Sequence, residues 1–357
     1  KTMKLLLLPG DGIGPEISDV VEKVLDALNK KLRLGLTLDQ KEVGFAALKN
    51  FKTTFPESIL QAATNADGII LGPVDTAAYP PADQGGINVS AALRKKFDLF
   101  ANIRPAISKK GINSVAPDMD LILVRENTEG FYADRTMFTG SGEFMPTPDL
   151  ALAVRKISRE GSYRIGLAAA KLADIRPRRK LTIVTKSNAL KVSDGLFLEE
   201  CRKAASNFSG LEIEEVHVDA MASLLVRTPG AFDVIVTSNM FGDILSNLAN
   251  ELSGGLGLGG SINAGKDRAI AQASHGSAPD IAGKDVANPV ALILSTGMLL
   301  DWLGKKTSRN SLKEAAQLIN ISIDEMLLVP DTRTVDLAGS IGTKAFGERI
   351  VKIINEA

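Results

Sequence analysis

Short, largely apolar runs, spaced between helical segments, constrain this chain more than any other feature. Residues 5–8 (LLLL), 68–72 (GIILG), 121–124 (LILV), 181–185 (LTIVT) and 233–238 (DVIVTS) have no alternating polar face. A strand that is apolar on both sides has to be covered on both sides, which is the situation of a largely parallel sheet between layers of helices. Helical segments separate these runs. In the first, Ile17, Val20, Val21, Val24, Leu25 and Leu28 recur at helical spacing and make one apolar stripe. The pattern predicts an α/β protein, and the 357-residue length allows two domains.

Charge and cysteine usage narrow the function classes. Lys plus Arg and Asp plus Glu number 42 each, so no overall basic field draws the chain to nucleic acid or to an anionic membrane surface. The single cysteine, Cys201, cannot form an intrachain disulfide and lies in the helical-looking stretch FLEECRKAA, which suits a structural thiol. This predicts a reducing compartment: the cytoplasm, or the mitochondrial matrix if the source is eukaryotic. The most apolar later stretch, residues 290–303, is shorter than the ~20 residues a membrane span needs. Lys1 and Thr2 precede Met3, which points to Met3 as the natural start. Residues 132–154 break the α/β rhythm with Gly140, Gly142, Pro146 and Pro148, and predict either a surface excursion or an arm that clasps another subunit.

Several residues carry chemistry. The turn LPGDGIGPE places Gly10, Gly12 and Gly14 as G-x-G-x-G, which is not the G-x-G-x-x-G of a Rossmann phosphate loop. Arg94, Arg104 and Arg125 lie at or near strand ends; guanidinium forks match carboxylates, although each could equally be a surface ion-pair partner. Asp219 and Asp243 offer the hard oxygen donors that Mg²⁺ prefers, and Asp243 could instead cap a helix. His275 opens the turn-rich stretch HGSAPDIAGKDVANP, while His217 reads as structural.

Taken in order, the motifs LPGDGIGPE, LRKKFDLFANIRPA, VRENTEGFY, TKSNALKVSDGLF, VDAM, NMFGDILSNLA, HGSAPDIAG and RTVDLAGSIGT make the chain similar to the metal-dependent decarboxylating dehydrogenases that act on isocitrate, 3-isopropylmalate and homoisocitrate. The resemblance covers nearly the whole length. It implies a two-domain isopropylmalate dehydrogenase-like fold with an intertwined sheet, not a standard Rossmann fold. One domain would comprise residues 1–98 and 250–357 and the other residues 99–249, with the active site in the cleft between them. It also implies a homodimer whose sites each borrow Lys186 and Asp219 from the neighbouring subunit.

What the resemblance implies residue by residue is specific. Arg94, Arg104 and Arg125 would clamp the substrate carboxylates of an (R)-2-hydroxy acid that is oxidised and then loses CO₂. Lys186 would take the hydroxyl proton and Tyr132 would protonate the carbon that lost CO₂. Asp219 and Asp243 would hold Mg²⁺ or Mn²⁺, joined by Asn247 where the family usually has a third aspartate. A charge lost there is also what a noncatalytic regulatory subunit of a hetero-oligomeric dehydrogenase could tolerate. The cofactor would lie against Ile13, Asn188, His275, Gly276, Ser277, Ala278 and Asn288, with Asp280 on the adenosine ribose favouring NAD over NADP.

The substrate's further substituent is read in the family by the helix leading into Arg94. Here that helix carries Asn88 and Ser90, and burying them against an isopropyl group would leave polar atoms unpaired at roughly 1–3 kcal/mol each. A polar, isocitrate-like substrate is therefore expected, with 3-isopropylmalate as the alternative. A metal-independent hydroxyacid dehydrogenase would need the Rossmann fingerprint that is missing.

Overall fold

A computed structural model describes residues 2–132 and 136–357. Residue 1 and residues 133–135, the latter within the segment expected to form an arm, lie outside the described residues. The chain runs β1 (Met3–Leu8), α1 (Gly14–Leu32), β2 (Leu36–Gln40), α2 (Phe45–Phe51), α3 (Glu57–Asn65), β3 (Gly68–Leu71), α4 (Val89–Lys96), β4 (Ala101–Ile107) and β5 (Asp120–Glu126). It continues through β6 (Glu143–Thr147), β7 (Leu150–Ala153), α5 (Arg159–Asp174), β8 (Lys180–Thr185), α6 (Ser193–Ala205), β9 (Glu212–His217), α7 (Val218–Arg227) and β10 (Val234–Thr237). It closes with α8 (Asn239–Ser253), β11 (Ile262–Ala264), β12 (Ala269–Gln272), α9 (Val290–Thr307), α10 (Asn310–Met326) and α11 (Thr343–Glu356).

One ten-stranded sheet of order β2-β1-β3-β12-β11-β4-β5-β10-β8-β9 spans the molecule. Both flanks are parallel, and the antiparallel pairings are β12–β11, β11–β4 and β4–β5, at its centre. Strands from the chain's two ends make one half of the sheet and strands from its middle make the other. Helices α1, α9, α10 and α11 build the largest core on the first half, and α5 and α6 build a second core on the other. The opposite face carries α7 and α8 over the middle strands, and α3 and α4 over β1 and β3.

The apolar runs read from the sequence are the buried strands: all four residues of β3 and of β10 are buried. Cys201 is fully buried, and burial pushes its thiol far above the ordinary range. The β6–β7 hairpin stands apart as a two-stranded ribbon whose residues are all exposed. No helix among the described residues is long and apolar enough to cross a membrane.

Candidate active site

The central strands and α8 bring three charges together. Arg104 comes from β4, Arg125 from β5 and Asp243 from α8, and one carboxylate oxygen of Asp243 lies 3.3 Å from a terminal nitrogen of each arginine. Both guanidiniums are buried and held in place by neutral partners. Arg104 donates from Nε to Asn102 at 2.6 Å and from its terminal nitrogen to Ser246 at 2.8 Å. Arg125 donates from Nε to the Asn239 carbonyl at 2.8 Å and from Nη2 to the Asn239 amide oxygen at 2.7 Å. Burial lowers the Arg104 pKa and Asp243 partly restores it, but arginine remains charged at any physiological pH. Tyr132 joins this cluster, its ring centre 5.9 Å from the Arg125 guanidinium carbon.

Local sequence explains the arrangement. Helix α8 begins at Asn239, so Asp243 stands a full turn inside it and is not its cap. Asn247 follows one turn later and is exposed. Gly242 faces Arg125: a Cβ there would sit 2.6 Å from Arg125 Cγ, so only glycine lets the arginine lie against the helix.

Lys186 and Asp219 form a second charged pair, Nζ to Oδ1 2.8 Å, where β8 ends and α7 begins. The Lys186 ammonium holds the Asp219 carboxyl below the usual carboxylate range. The Lys186 backbone is pinned by its N–H to buried Asp194 at 2.6 Å, and Asp194 in turn pairs with Arg155 at 2.6 Å. Asn188, in the turn that follows, is exposed.

A polar cavity of about 130 Å³ is lined by Arg94, Arg104, Ser274, His275 and Gln272, among others. The direction of its hydrogen bonds can be traced from a backbone carbonyl, which only accepts. Asn127 donates from Nδ2 to the Leu99 carbonyl (2.9 Å) and to Asn263 Oδ1 (3.0 Å). Asn263 therefore donates from Nδ2 to Gln272 Oε1 at 3.2 Å, and Ser90 donates to the same oxygen at 3.1 Å. The Gln272 oxygen is thereby occupied twice, leaving its NH₂ as the group available to a ligand. Asn88 behaves alike: it caps α4, its Oδ1 accepting from the Ala91 N–H at 2.9 Å, which leaves its NH₂. His275 donates from Nδ1 to the Gly276 carbonyl at 2.8 Å, and burial lowers its pKa, so its buried Nε2 is a neutral acceptor without a protein partner among the described residues.

The glycine turn packs against the loop after β12. Ile13 donates its N–H to the Ser277 carbonyl at 2.8 Å, and a Cβ on Gly12 would lie 2.0 Å from that same oxygen. Gly10 and Gly12 take positive φ of 77° and 57°, so these glycines serve close backbone approach. Asp11 between them ties three segments, accepting from the Phe45 and Asp75 N–H groups and from the Tyr79 hydroxyl. Ser277 is buried, Gly276 and Asp280 are exposed, and Ala278 is half-buried at a φ of 41°. Asn288 has both ends engaged, donating to Asp336 and accepting from the Val290 N–H, each at 3.0 Å.

Asn102, Asn239, Gly242, Ser246 and Gln272 position the site without having been singled out in the sequence. Two had a readable signal: Asn102 shares a strand face with Arg104 two residues on, and Ser246 follows Asp243 at helical spacing.

These features match known proteins over the whole chain. A family model described as isocitrate/isopropylmalate dehydrogenase matches residues 4–350. This chain belongs to the isocitrate/isopropylmalate dehydrogenase family. It is 38% identical to a 3-isopropylmalate dehydrogenase of Methanothermobacter thermautotrophicus, with 100% of each chain covered, and 39% identical to an isocitrate/homoisocitrate dehydrogenase of Thermus thermophilus, with 98% of each covered. Among solved structures, an isocitrate dehydrogenase from Methylococcus capsulatus superposes with a TM-score of 0.87 at 38% identity, covering 99% of this chain and 100% of that one. Family members are decarboxylating dehydrogenases acting on a CH–OH group with a divalent metal and NAD or NADP. The donor set here has the right chemistry for such a metal, hard oxygens on Asp219, Asp243 and Asn247. No cluster of three or more His, Cys, Asp or Glu side chains suited to a metal occurs among the described residues.

Proposed function

We propose that this protein is an NAD-dependent enzyme that oxidises and decarboxylates a substituted (R)-malate whose further substituent is polar, as in isocitrate. The observation that carries the substrate reading is the polarity of the cavity beside Arg94 and Arg104. Gln272 lines this cavity with its amide oxygen engaged within the protein, so it presents donors there; exposed Asn88, at the start of α4, likewise has its oxygen engaged. Donors left facing an isopropyl group would go unpaired, at about 1–3 kcal/mol each, whereas a carboxylate or hydroxyl would satisfy them. Ser90 acts here through Gln272, its hydroxyl being directed at that amide.

In this reading Arg94, Arg104 and Arg125 hold the carboxylates, and the Asn239 and Asn102 contacts keep the last two arginines rigid. Lys186, in its neutral form, would accept the hydroxyl proton of the substrate, and the nicotinamide cofactor, when bound, would supply the hydride acceptor. After CO₂ leaves, Tyr132 donates a proton to the carbon that carried it. Asp219, Asp243 and Asn247 would hold Mg²⁺ or Mn²⁺, which supplies positive charge beside the substrate's oxygens when bound. Ile13, Asn188, Asn288 and the loop from His275 to Ala278 would hold the nucleotide. Asp280 suits the ribose hydroxyls of NAD and would repel a 2′-phosphate.

Two copies would complete each site, Lys186 and Asp219 of one facing Asp243 of the other. Support comes from the β6–β7 ribbon, which exposes Phe144, Met145, Leu150 and Leu152 by 43–62%. Residues 1–98 with 250–357 would act as one domain and residues 99–249 as the other.

The second reading is a 3-isopropylmalate dehydrogenase, favoured by the relative so named at 38% identity over the full length. Purified protein assayed alone against isocitrate, homoisocitrate, 3-isopropylmalate, malate and tartrate, with NAD or NADP and Mg²⁺ or Mn²⁺, separates the readings. A preference of about tenfold or more, about 1.4 kcal/mol, for a polar acid and for NAD is expected. A tenfold preference for 3-isopropylmalate would overturn the substrate assignment, and absence of turnover without another subunit would favour a regulatory role.

A further inference from the structure

A second cavity lies behind the strand that carries Arg104. On β4, Asn102 and Arg104 face α8, so by strand alternation Ile103 and Pro105 face the other way. There they form, with Ile122 of β5 and Ile262 of β11, the floor of a cavity of about 470 Å³. Leu172 and Ile175, at the end of α5, make one wall; Met298 and Trp302 of α9 make the other. A further cavity of about 130 Å³ shares Pro105, Met298 and Asn320 with it and extends the groove toward Leu294 and Leu258. This lies in the size range of small-molecule sites, about 300–1,000 Å³.

The groove is lined mostly by apolar side chains, with three cations among them. Arg176, Lys305 and Lys313 line it against a single acid, Asp301. Asp301 is bound to Lys305 at 2.6 Å, and Arg176 is held by Asp120 and Asp233 at 2.8 and 2.5 Å. Lys313 makes no ion pair among the described residues. It sits in the first turn of α10, where the helix dipole adds positive potential. From it Ala316, Gln317 and Asn320 continue the same helix face into the groove.

We infer that this groove is a binding site for an aliphatic carboxylate, its chain along Ile103, Pro105, Ile262 and Met298 and its head group on Lys313. Charge complementarity selects the anion, and the elongated apolar floor selects a chain over a compact polar acid. The groove runs between α5, from the middle of the chain, and α9 and α10, from its end. A ligand there contacts both halves of the sheet on the reverse of the strand that carries Arg104.

The protein contains its own reporter, since Trp302 is its single tryptophan. Octanoate titrated into the purified full-length protein should produce a saturable change in tryptophan emission, while octanol should bind more weakly. Lys313→Ala should weaken octanoate roughly fivefold or more and leave octanol unchanged, as expected for loss of one charge-assisted contact. Ile175→Glu, at a position 67% exposed and so tolerant of the change, should weaken both. The proposal is overturned if emission does not respond to octanoate, or if Lys313→Ala affects the two ligands alike. It is also overturned if emission shifts with protein concentration alone, which would mean that a second copy fills the groove.

Discussion

Gly242→Ala tests whether the arginine cluster is the working part of the site. Two effects oppose each other. Alanine in a helix interior is favoured over glycine by about 1 kcal/mol. Against this, the new Cβ would lie 2.6 Å from Arg125 Cγ, and ordinary contact begins at 3.4 Å, so something must retreat by 0.8 Å. Arg125 is buried and fixed by the Asn239 bonds, so it has little room to yield. Overpacking of this kind costs about 1–3 kcal/mol, so the clash wins and the variant loses up to about 2 kcal/mol net. The functional loss is larger in proportion, because a displacement near 1 Å at a substrate-positioning group costs on the order of 10²-fold in rate.

The assay is urea unfolding together with kcat/KM on the preferred acid. Gly195→Ala on α6, where nothing lies within 4 Å of an added Cβ, is the matched control and should be neutral or stabilising with full activity. If Gly242→Ala retains the parent kcat/KM, Arg125 is not a substrate ligand held by α8 and the cluster has been misread.

Glu126 should make stability fall as pH rises. Burial pushes its carboxyl up from 4.5 to about 7, against the donors from Thr128 and Glu129 that favour the charged form. The folded state therefore holds a proton that the unfolded state has released between those two values. The difference, about 2.5 units at 1.36 kcal/mol each, is about 3 kcal/mol, present below pH 4.5 and lost by about pH 7. Urea unfolding across that window should show a slope that Glu126→Gln flattens; an unchanged slope would assign the proton elsewhere. Gln272→Glu keeps an acceptor for Ser90 and Asn263 but turns the free donor into an anion, so KM for isocitrate should rise about tenfold while that for 3-isopropylmalate changes little. Equal effects on both would show that Gln272 does not face the substituent. Removal of divalent cations with a chelator should reduce turnover to background and Mn²⁺ should restore it; full turnover after stripping would contradict the roles given to Asp219 and Asp243.

What the sequence made legible follows from what each signal depends on. β3 and β10 announced themselves because both of their faces are buried, whereas Arg104 and Arg125 stood open between carboxylate ligand and surface ion-pair partner until the resemblance gave them a role. β11 and β12, only INA and AIAQ, carry no such signal; their extension comes from pairing at the sheet's centre with β4 and β3. Asp243 could be read as cap or ligand until the start of α8 was fixed at Asn239. The positioning residues stayed hidden for the same reason: Asp11 acts on residues 34 to 68 positions away, and Gln272 meets Ser90 across 182. Such contacts have no local pattern, since they exist only once the two ends of the chain share one sheet. The same logic links the two sites. Alternation along β4 obliges a strand that offers Arg104 to one face to offer Ile103 and Pro105 to the other. On the face away from α8, the joint between the two halves lies between α5 and α9. A strand that offers Arg104 to one face at that joint therefore offers an apolar floor to the other, and the ligand proposed for the groove would contact the strand that carries the arginine.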